Sequence, residues 1–271
     1  MTSKIAFIGG GNMASAIIGG LLKQGLKAAD ILVVEPFAEA RERLARDLGV
    51  HAQEVADARL AQAGLVVWAV KPQTFRDAAA AVQAHATGAL HLSVAAGIRS
   101  DSIAAWLGTE RVVRCMPNTP ALVGKGMTGL FARAAVTDAD RQQVEQVVRT
   151  TGDLLWVAQE TQLDAVTALS GSGPAYVFYF IEAMAAAGAQ MGLSPEQSLQ
   201  LAIGTFVGAA DLAQASTEGP EVLRQRVTSK GGTTYAALSS MEESRIKEHF
   251  MLAMEKARAR AVELGNEFGT V

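Results

Sequence analysis

One cysteine, Cys115, in 271 residues excludes an internal disulfide and any multi-cysteine zinc or iron–sulfur site. That scarcity fits a protein of the reducing cytoplasm, the expected compartment. Excess charge is also missing. The 24 basic and 27 acidic side chains give a formal net charge of −3, which offers no global attraction to nucleic acid or an anionic membrane. The four histidines, His51, His85, His91 and His249, are scattered. They form no dyad with an acid and no metal-ligand spacing, so each reads as structural or solvated and no metal is expected. Long uninterrupted apolar runs are lacking as well. Residues 174–193 match a bilayer in length, about 20 residues, but include Glu182 and Gln190 and several Ala and Gly. A helix buried in a protein interface is the expected use, not a membrane span. Residues Met1-Thr2-Ser3-Lys4 lead straight into an apolar strand, unlike a signal peptide.

What is present is the composition of a folded chain, 49% apolar with 19% charged residues. The length suits one large or two modest domains. Short apolar runs at 4–8, 31–34, 65–70, 89–94 and 111–115 read as strands. Helical spacing falls between them at 12–22, 39–48, 74–85 and 101–106. The near-continuous apolarity of 65–70 suits a parallel sheet covered on both faces. This alternation predicts a Rossmann-type doubly wound α/β sheet. Further strands are expected at 127–133 and 154–157, around a helix at 138–150. From Gln162 onward only helices are predicted, at 174–193, 194–214, 220–227, 234–241 and 244–268. Ser194-Pro195-Glu196-Gln197 joins an N-cap serine, a proline at the first helical position and a capping-box glutamine. The expected division is therefore 1–160, a dinucleotide-binding domain, and 161–271, an all-α domain. Small residues such as Ala185, Gly188, Gly204 and Gly208 allow close helix approach, in a dimer interface or within the chain.

Gly9-Gly10-Gly11-Asn12-Met13-Ala14 matches G-x-G-x-x-G/A between the first strand and the first helix, as a dinucleotide fingerprint requires. Gly9 serves the tight turn, Gly11 lets the backbone approach a pyrophosphate, and Ala14 allows close helix packing. The helix N-terminus supplies amides and a favourable dipole. Glu35 ends the second strand, where an acid binds a ribose hydroxyl. It disfavours a 2′-phosphate and points to NAD(H), while nearby Arg41 and Arg43 keep NADP(H) open. Three more loops follow strand ends: Ala69-Val70-Lys71-Pro72, Ser93-Val94-Ala95-Ala96-Gly97 and Met116-Pro117-Asn118-Thr119-Pro120. Each alone is compatible with a simple turn; together they suggest a shelf for a nicotinamide ring. In the second half, Thr228-Ser229-Lys230-Gly231-Gly232-Thr233-Thr234 precedes a helix. Glycines then threonines at a helix start can bind a carboxylate or phosphate, though N-capping by Thr233 or Thr234 explains them equally.

These stretches, with Phe7-Ile8 before the fingerprint and 170–176 before the long apolar helix, resemble pyrroline-5-carboxylate reductases in order and over the whole chain. The resemblance implies a Rossmann domain followed by an all-α dimerisation domain. It implies NADPH- or NADH-dependent reduction of 1-pyrroline-5-carboxylate to L-proline, in a homodimer that in some members assembles into a decamer. The substrate pocket would lie between the two parts at the dimer interface. By position, Gly9, Gly10, Gly11, Asn12 and Met13 would hold the pyrophosphate and Glu35 the adenosine ribose. Ala69, Val70, Lys71, Pro72, Ala95, Ala96 and Gly97 would border the nicotinamide. Gly232, Thr233 and Thr234 would hold the substrate carboxylate, with Glu160 lining the same site and Thr234 orienting the reaction. Glu35 stands where some members carry serine, Lys230 where many carry proline, and a family glutamate falls at Thr217 with Glu218 one place later. Two other readings stay open from sequence. A β-hydroxyacid dehydrogenase would carry a lysine soon after Gly171-Ser172-Gly173, where Pro174-Ala175-Tyr176-Val177 stand instead. A noncatalytic nucleotide-binding protein would need no second anion loop.

Overall fold

The fold is described by a computed structural model covering residues 4–269. Seven strands form one sheet: β1 (Lys4–Ile8), β2 (Ile31–Val34), β3 (Ala63–Trp68), β4 (Leu90–Ser93), β5 (Val112–Met116), β6 (Gly126–Ala132) and β7 (Gly152–Trp156). Their order is β2-β1-β3-β4-β5-β6-β7, parallel throughout except where β6 runs antiparallel to β5. The chain steps from β1 to one side for β2 and to the other for β3. That is the topological switch point at which open α/β sheets bind ligands.

Alternation along the strands explains their continuous apolarity. In β3, Leu65 and Val67 join one core with Phe7, Ile17 and Ile18, under α1 (Asn12–Lys23) and α2 (Ala38–Leu48). Val66 and Trp68 point the other way, into a second core with Phe75 of α3 (Pro72–Val82) and Ile103 of α4 (Ser100–Leu107). Both faces of β3 are covered, so Leu65 to Trp68 are apolar without a break. The helix α5 (Asp138–Val148) begins at a capping box, in which Thr137 Oγ1 accepts from Asp140 N–H at 3.2 Å and Asp140 returns the bond.

The polypeptide forms two compact units, residues 4–172 with 257–269, and residues 173–256. The first therefore runs past residue 160. A five-residue helix, α6 (Gln162–Val166), and the π turn Thr167–Gly171 belong to it. α6 lies so close to β6 that a Cβ on Gly129 would meet Val166 at 2.8 Å. The second unit contains α7 (Gly173–Gln190), α8 (Pro195–Ala215), α9 (Pro220–Arg226), α10 (Thr233–Glu243) and the first part of α11 (Ile246–Phe268). The expected capping box starts α8: Gln197 N–H donates to Ser194 Oγ at 3.2 Å, and Gln197 Oε1 accepts from Ser194 N–H at 2.9 Å. α7 and α8 pack where Gly188 leaves no room for a side chain, a Cβ there falling 2.7 Å from Ser198 Oγ. Tyr176 and Phe180 of α7 meet Phe250 of α11 edge-on, with ring centroids 5.5 and 5.7 Å apart. Among the described residues no helix is long and apolar enough to cross a membrane.

Candidate active site

The loops singled out in the first half share the carboxyl edge of the sheet, and the backbone ties them together there. Gly9 N–H donates to Val34 O at 2.8 Å, Ala69 N–H to Ile8 O at 2.8 Å, and Val94 N–H to Trp68 O at 3.0 Å. Each loop thus leaves its strand fastened to the last carbonyl of a neighbouring strand. Gly9 is required twice over. Its φ is +95°, and a Cβ would lie 2.6 Å from Ala69 O.

Gly11 differs. It is the N-cap of α1 with φ −72° and ψ −171°, a conformation open to any residue. A Cβ there would meet no protein atom within 4 Å. The backbone does not need this glycine, and it leaves open room beside the turn. No side chain caps α1 and no acid stands in its first turn, which leaves the amides of the first turn and the positive dipole end for an anion. Asn12 is exposed, whereas Met13 packs against the core and offers only its backbone. A dinucleotide pyrophosphate fits this arrangement.

Glu35, only 6% exposed, turns its carboxylate toward the same turn. Gly10 N–H donates to Oε2 at 2.7 Å and Phe37 N–H to Oε1 at 2.9 Å. The acid at the end of β2 therefore also braces the glycine turn. Arg41 is committed elsewhere, to the carbonyls of Glu35 and Pro36 and to Glu54. Arg43 reaches Gly10 O at 3.4 Å.

Beyond Ala69 and Val70, Lys71 is exposed at the N-cap of α3, and Pro72 takes the first helical position. Ala95 is buried, Ala96 exposed, and Gly97 has φ +72°. In the third loop Asn118 uses both ends of its amide. Oδ1 accepts from Met127 N–H at 2.9 Å, and Nδ2 donates to Ser170 O at 3.2 Å and Ser170 Oγ at 3.3 Å. It holds the end of β5 to β6 and to the π turn, and single π turns are common at functional sites. Cys115 beside it is buried, and burial pushes its thiol pKa up, away from nucleophilic use.

Glu160 also lies in the sheet unit, among protein donors. Arg114 Nη1 and Ser100 N–H both donate to Oε1 at 2.6 Å, and Ser100 Oγ donates to Oε2 at 2.6 Å. A lone arginine inside an apolar strand was the available signal for this cluster, since a buried charge demands a partner. Which acid would answer it, 46 residues later, carries no local pattern.

In the helical unit, Gly231 takes φ +74° and Gly232 is the N-cap of α10. Thr233 and Thr234 are the first two residues of that helix, and neither caps it. The capping explanation of these threonines therefore gives way to a bare helix start with free hydroxyls beside it. No acid stands in its first turn. Lys230 is exposed. Among the described residues no group of three or more His, Cys, Asp or Glu gathers as a metal site.

The switch-point sheet, the glycine turn and the acid after β2 define a dinucleotide-binding oxidoreductase. Residues 4–97 match the family described as NADP oxidoreductase, coenzyme F420-dependent, and residues 160–264 match pyrroline-5-carboxylate reductase dimerisation. The pyrroline-5-carboxylate reductase of Pseudomonas aeruginosa is 44% identical over 270 residues, 99% of each chain. Among solved structures, a pyrroline-5-carboxylate reductase from Coxiella burnetii superposes with a TM-score of 0.90 at 36% identity over 100% of both chains. Pyrroline carboxylate reductase from Plasmodium falciparum, solved with NADP bound, gives 0.85 at 27% identity over 97% of this chain and 98% of that one. The chain belongs to the pyrroline-5-carboxylate reductase family.

Proposed function

We propose that this chain reduces the C=N bond of 1-pyrroline-5-carboxylate to give L-proline, the last step of proline biosynthesis, in the cytoplasm and as a homodimer. The observation that carries the reading is the uncapped start of α1 with open room beside Gly11, in a chain related to these reductases from end to end. The reduced dinucleotide supplies the hydride. Around it, the backbone of Gly9, Gly10, Gly11, Asn12 and Met13 holds the pyrophosphate, and Glu35 faces the adenosine ribose. Residues 69–72 and 95–97 border the nicotinamide. Gly232, Thr233 and Thr234 bind the substrate carboxylate through amides and hydroxyls at the start of α10. A protonated cyclic imine is already electrophilic, so alignment and exclusion of water are the main demands on the protein. Thr234 orients the imine by hydrogen bonding, being too weak an acid to donate a proton usefully. Glu35 favours NADH over NADPH, because a 2′-phosphate would bring like charge against its carboxylate.

Oxidation of NADH or NADPH that depends on added imine and is inhibited by L-proline tests the reaction. No imine-dependent turnover with either dinucleotide ends it. Thr234→Ala should raise the imine KM about tenfold, the effect of one lost hydrogen bond to a charged group, and leave dinucleotide affinity unchanged. Equal loss of dinucleotide affinity would remove Thr234 from the substrate site. A higher kcat/KM for NADPH would overturn the role of Glu35, and sedimentation velocity distinguishes a dimer from a decamer.

A further inference from the structure

Residues 95–99 are fixed at both ends, with Ile98 buried in the second core between them. At one end Val94 N–H is bound to Trp68 O at 3.0 Å, and Ala95 N–H to Ser93 Oγ at 3.3 Å. At the other end stands Ser100, the first residue of α4. No side chain from the N-cap, Arg99, satisfies that helix start. The acceptor comes from 60 residues away: the Glu160 carboxylate takes both the N–H and the hydroxyl of Ser100 at 2.6 Å. Arg114 on β5 holds Glu160 from below at 2.6 Å, with side chains 7% and 17% exposed. Burial pushes the Arg114 guanidinium pKa down and Glu160 opposes that shift, as in an ion pair on which the charge depends. Arg99 makes a two-pronged pair with Asp164, at 2.9 and 3.2 Å. Glu160 Oε1 thus takes two protein donors and Oε2 one.

In place of the substrate contact that the family resemblance implies, we propose that Glu160 is a positioning residue for the loop 95–97, acting through Ser100, with Arg114 as its counter-ion. This rests on the reading that the loop borders the dinucleotide. Without the Glu160 contacts the loop would keep the Val94–Ala95 anchor, buried Ile98 and the Arg99–Asp164 pair, but lose both bonds that fix the first residue of α4. Hydride transfer tolerates little misplacement, since a shift of about 1 Å can cost about a hundredfold in rate.

The test is Glu160→Gln in the full-length protein. Dinucleotide Kd is measured from the fluorescence of bound NADH or NADPH, alongside kcat and the imine KM. The expected result is a kcat lowered about tenfold and a dinucleotide Kd raised about fivefold, within the penalty for loosened alignment, while the imine KM stays within about twofold. A tenfold rise in imine KM with unchanged dinucleotide Kd would return Glu160 to the substrate site. A lowered Tm with all three constants unchanged would make the cluster structural only. Both outcomes overturn the proposal. Ser100→Ala removes the hydroxyl's bond to Glu160 and the one it accepts from Arg133 Nη1 at 3.2 Å, and no charge, so it decides the matter if the first variant does not fold. It should move kcat and dinucleotide Kd in the same directions by about threefold, and unchanged values overturn the proposal. Ala96→Trp tests the underlying reading separately. If it blocks dinucleotide binding while the clamp variants leave kcat and Kd alone, the loop borders the cofactor and only the clamp is wrong. If dinucleotide binding ignores Ala96→Trp, the reading itself falls and the proposal with it.

Discussion

β3 and α8 are both largely apolar, yet they spend that character differently. In β3, Leu65, Val66, Val67 and Trp68 are all 0% exposed. The 21 residues of α8 bury only Ser198 and Ala202, while Leu201 is 58% and Leu212 70% exposed. The same contrast holds between the two units at large. The sheet unit closes two cores with its own residues, whereas α7 contributes only Gly188 to the buried set and leaves Phe178 and Tyr179 in the open. At about 1.5–3 kcal/mol per large apolar side chain covered, so many exposed residues are a large unspent driving force. Patches of this kind mark interaction surfaces. The match of residues 160–264 to a dimerisation family supplies the partner, a second copy. One fold is stabilised within the chain, the other between chains.

Four measurements would break or sharpen this contrast. The largest effect is expected from Leu201→Asp, which buries a charge in each half of a symmetric interface. It should cost about 5 kcal/mol or more of association and yield monomers by sedimentation equilibrium; a variant that remains dimeric would remove α8 from the interface. Leu92→Ala, in the centre of β4 at 0% exposure, should cost about 3–4 kcal/mol. Urea unfolding should report that loss at the sheet unit, with the same value at all protein concentrations.

The third concerns His91, 2% exposed in the sheet unit. Its Nδ1 accepts from Trp68 Nε1–H at 3.1 Å, so Nε2 carries the proton of a neutral ring. Burial is the main cause that lowers its pKa to about 4. A depressed pKa in the folded state means that the unfolded chain takes up the proton first. Stability is therefore fully present above about pH 6.5 and falls as pH drops toward 4, by about 3 kcal/mol in all. His91→Leu should flatten that slope, although its overall stability is lower because Trp68 loses its acceptor. An unchanged slope would assign the acid sensitivity elsewhere. The smallest is Gly11→Val, which fills room that no protein atom occupies. It should weaken dinucleotide binding about a hundredfold, about 2.7 kcal/mol, with thermal stability and dimerisation intact. Coupled loss of the dimer would mean that the nucleotide site and the interface are not separable.

Much of the scaffold was legible from local pattern. The glycine turn, the acid after β2, the parallel strands and the Ser194–Gln197 capping box each have a short-range signature. α6 and its π turn were not legible, since five residues are too few for helical periodicity to register. Thr233 and Thr234 read equally well as caps or ligands. The structure places the N-cap at Gly232, so neither threonine is the cap residue. Glu160 is a different case. Resemblance by position put it in the substrate site, but position says nothing of which donors a carboxylate faces.

Sequence by itself determined most of the strands and helices, where the glycine turn after β1 lies, and that the second half would be helical, because periodicity and turn chemistry act over a few neighbouring residues. Tertiary structure alone decided that β6 turns antiparallel, that Asn118 locks onto Ser170, and that Ser100, Arg114 and Glu160 meet at one carboxylate. Those partners are 46 to 60 residues apart. Nothing in the chain between them encodes the meeting; it follows from stacking the strands in one order and burying charges that must then find each other.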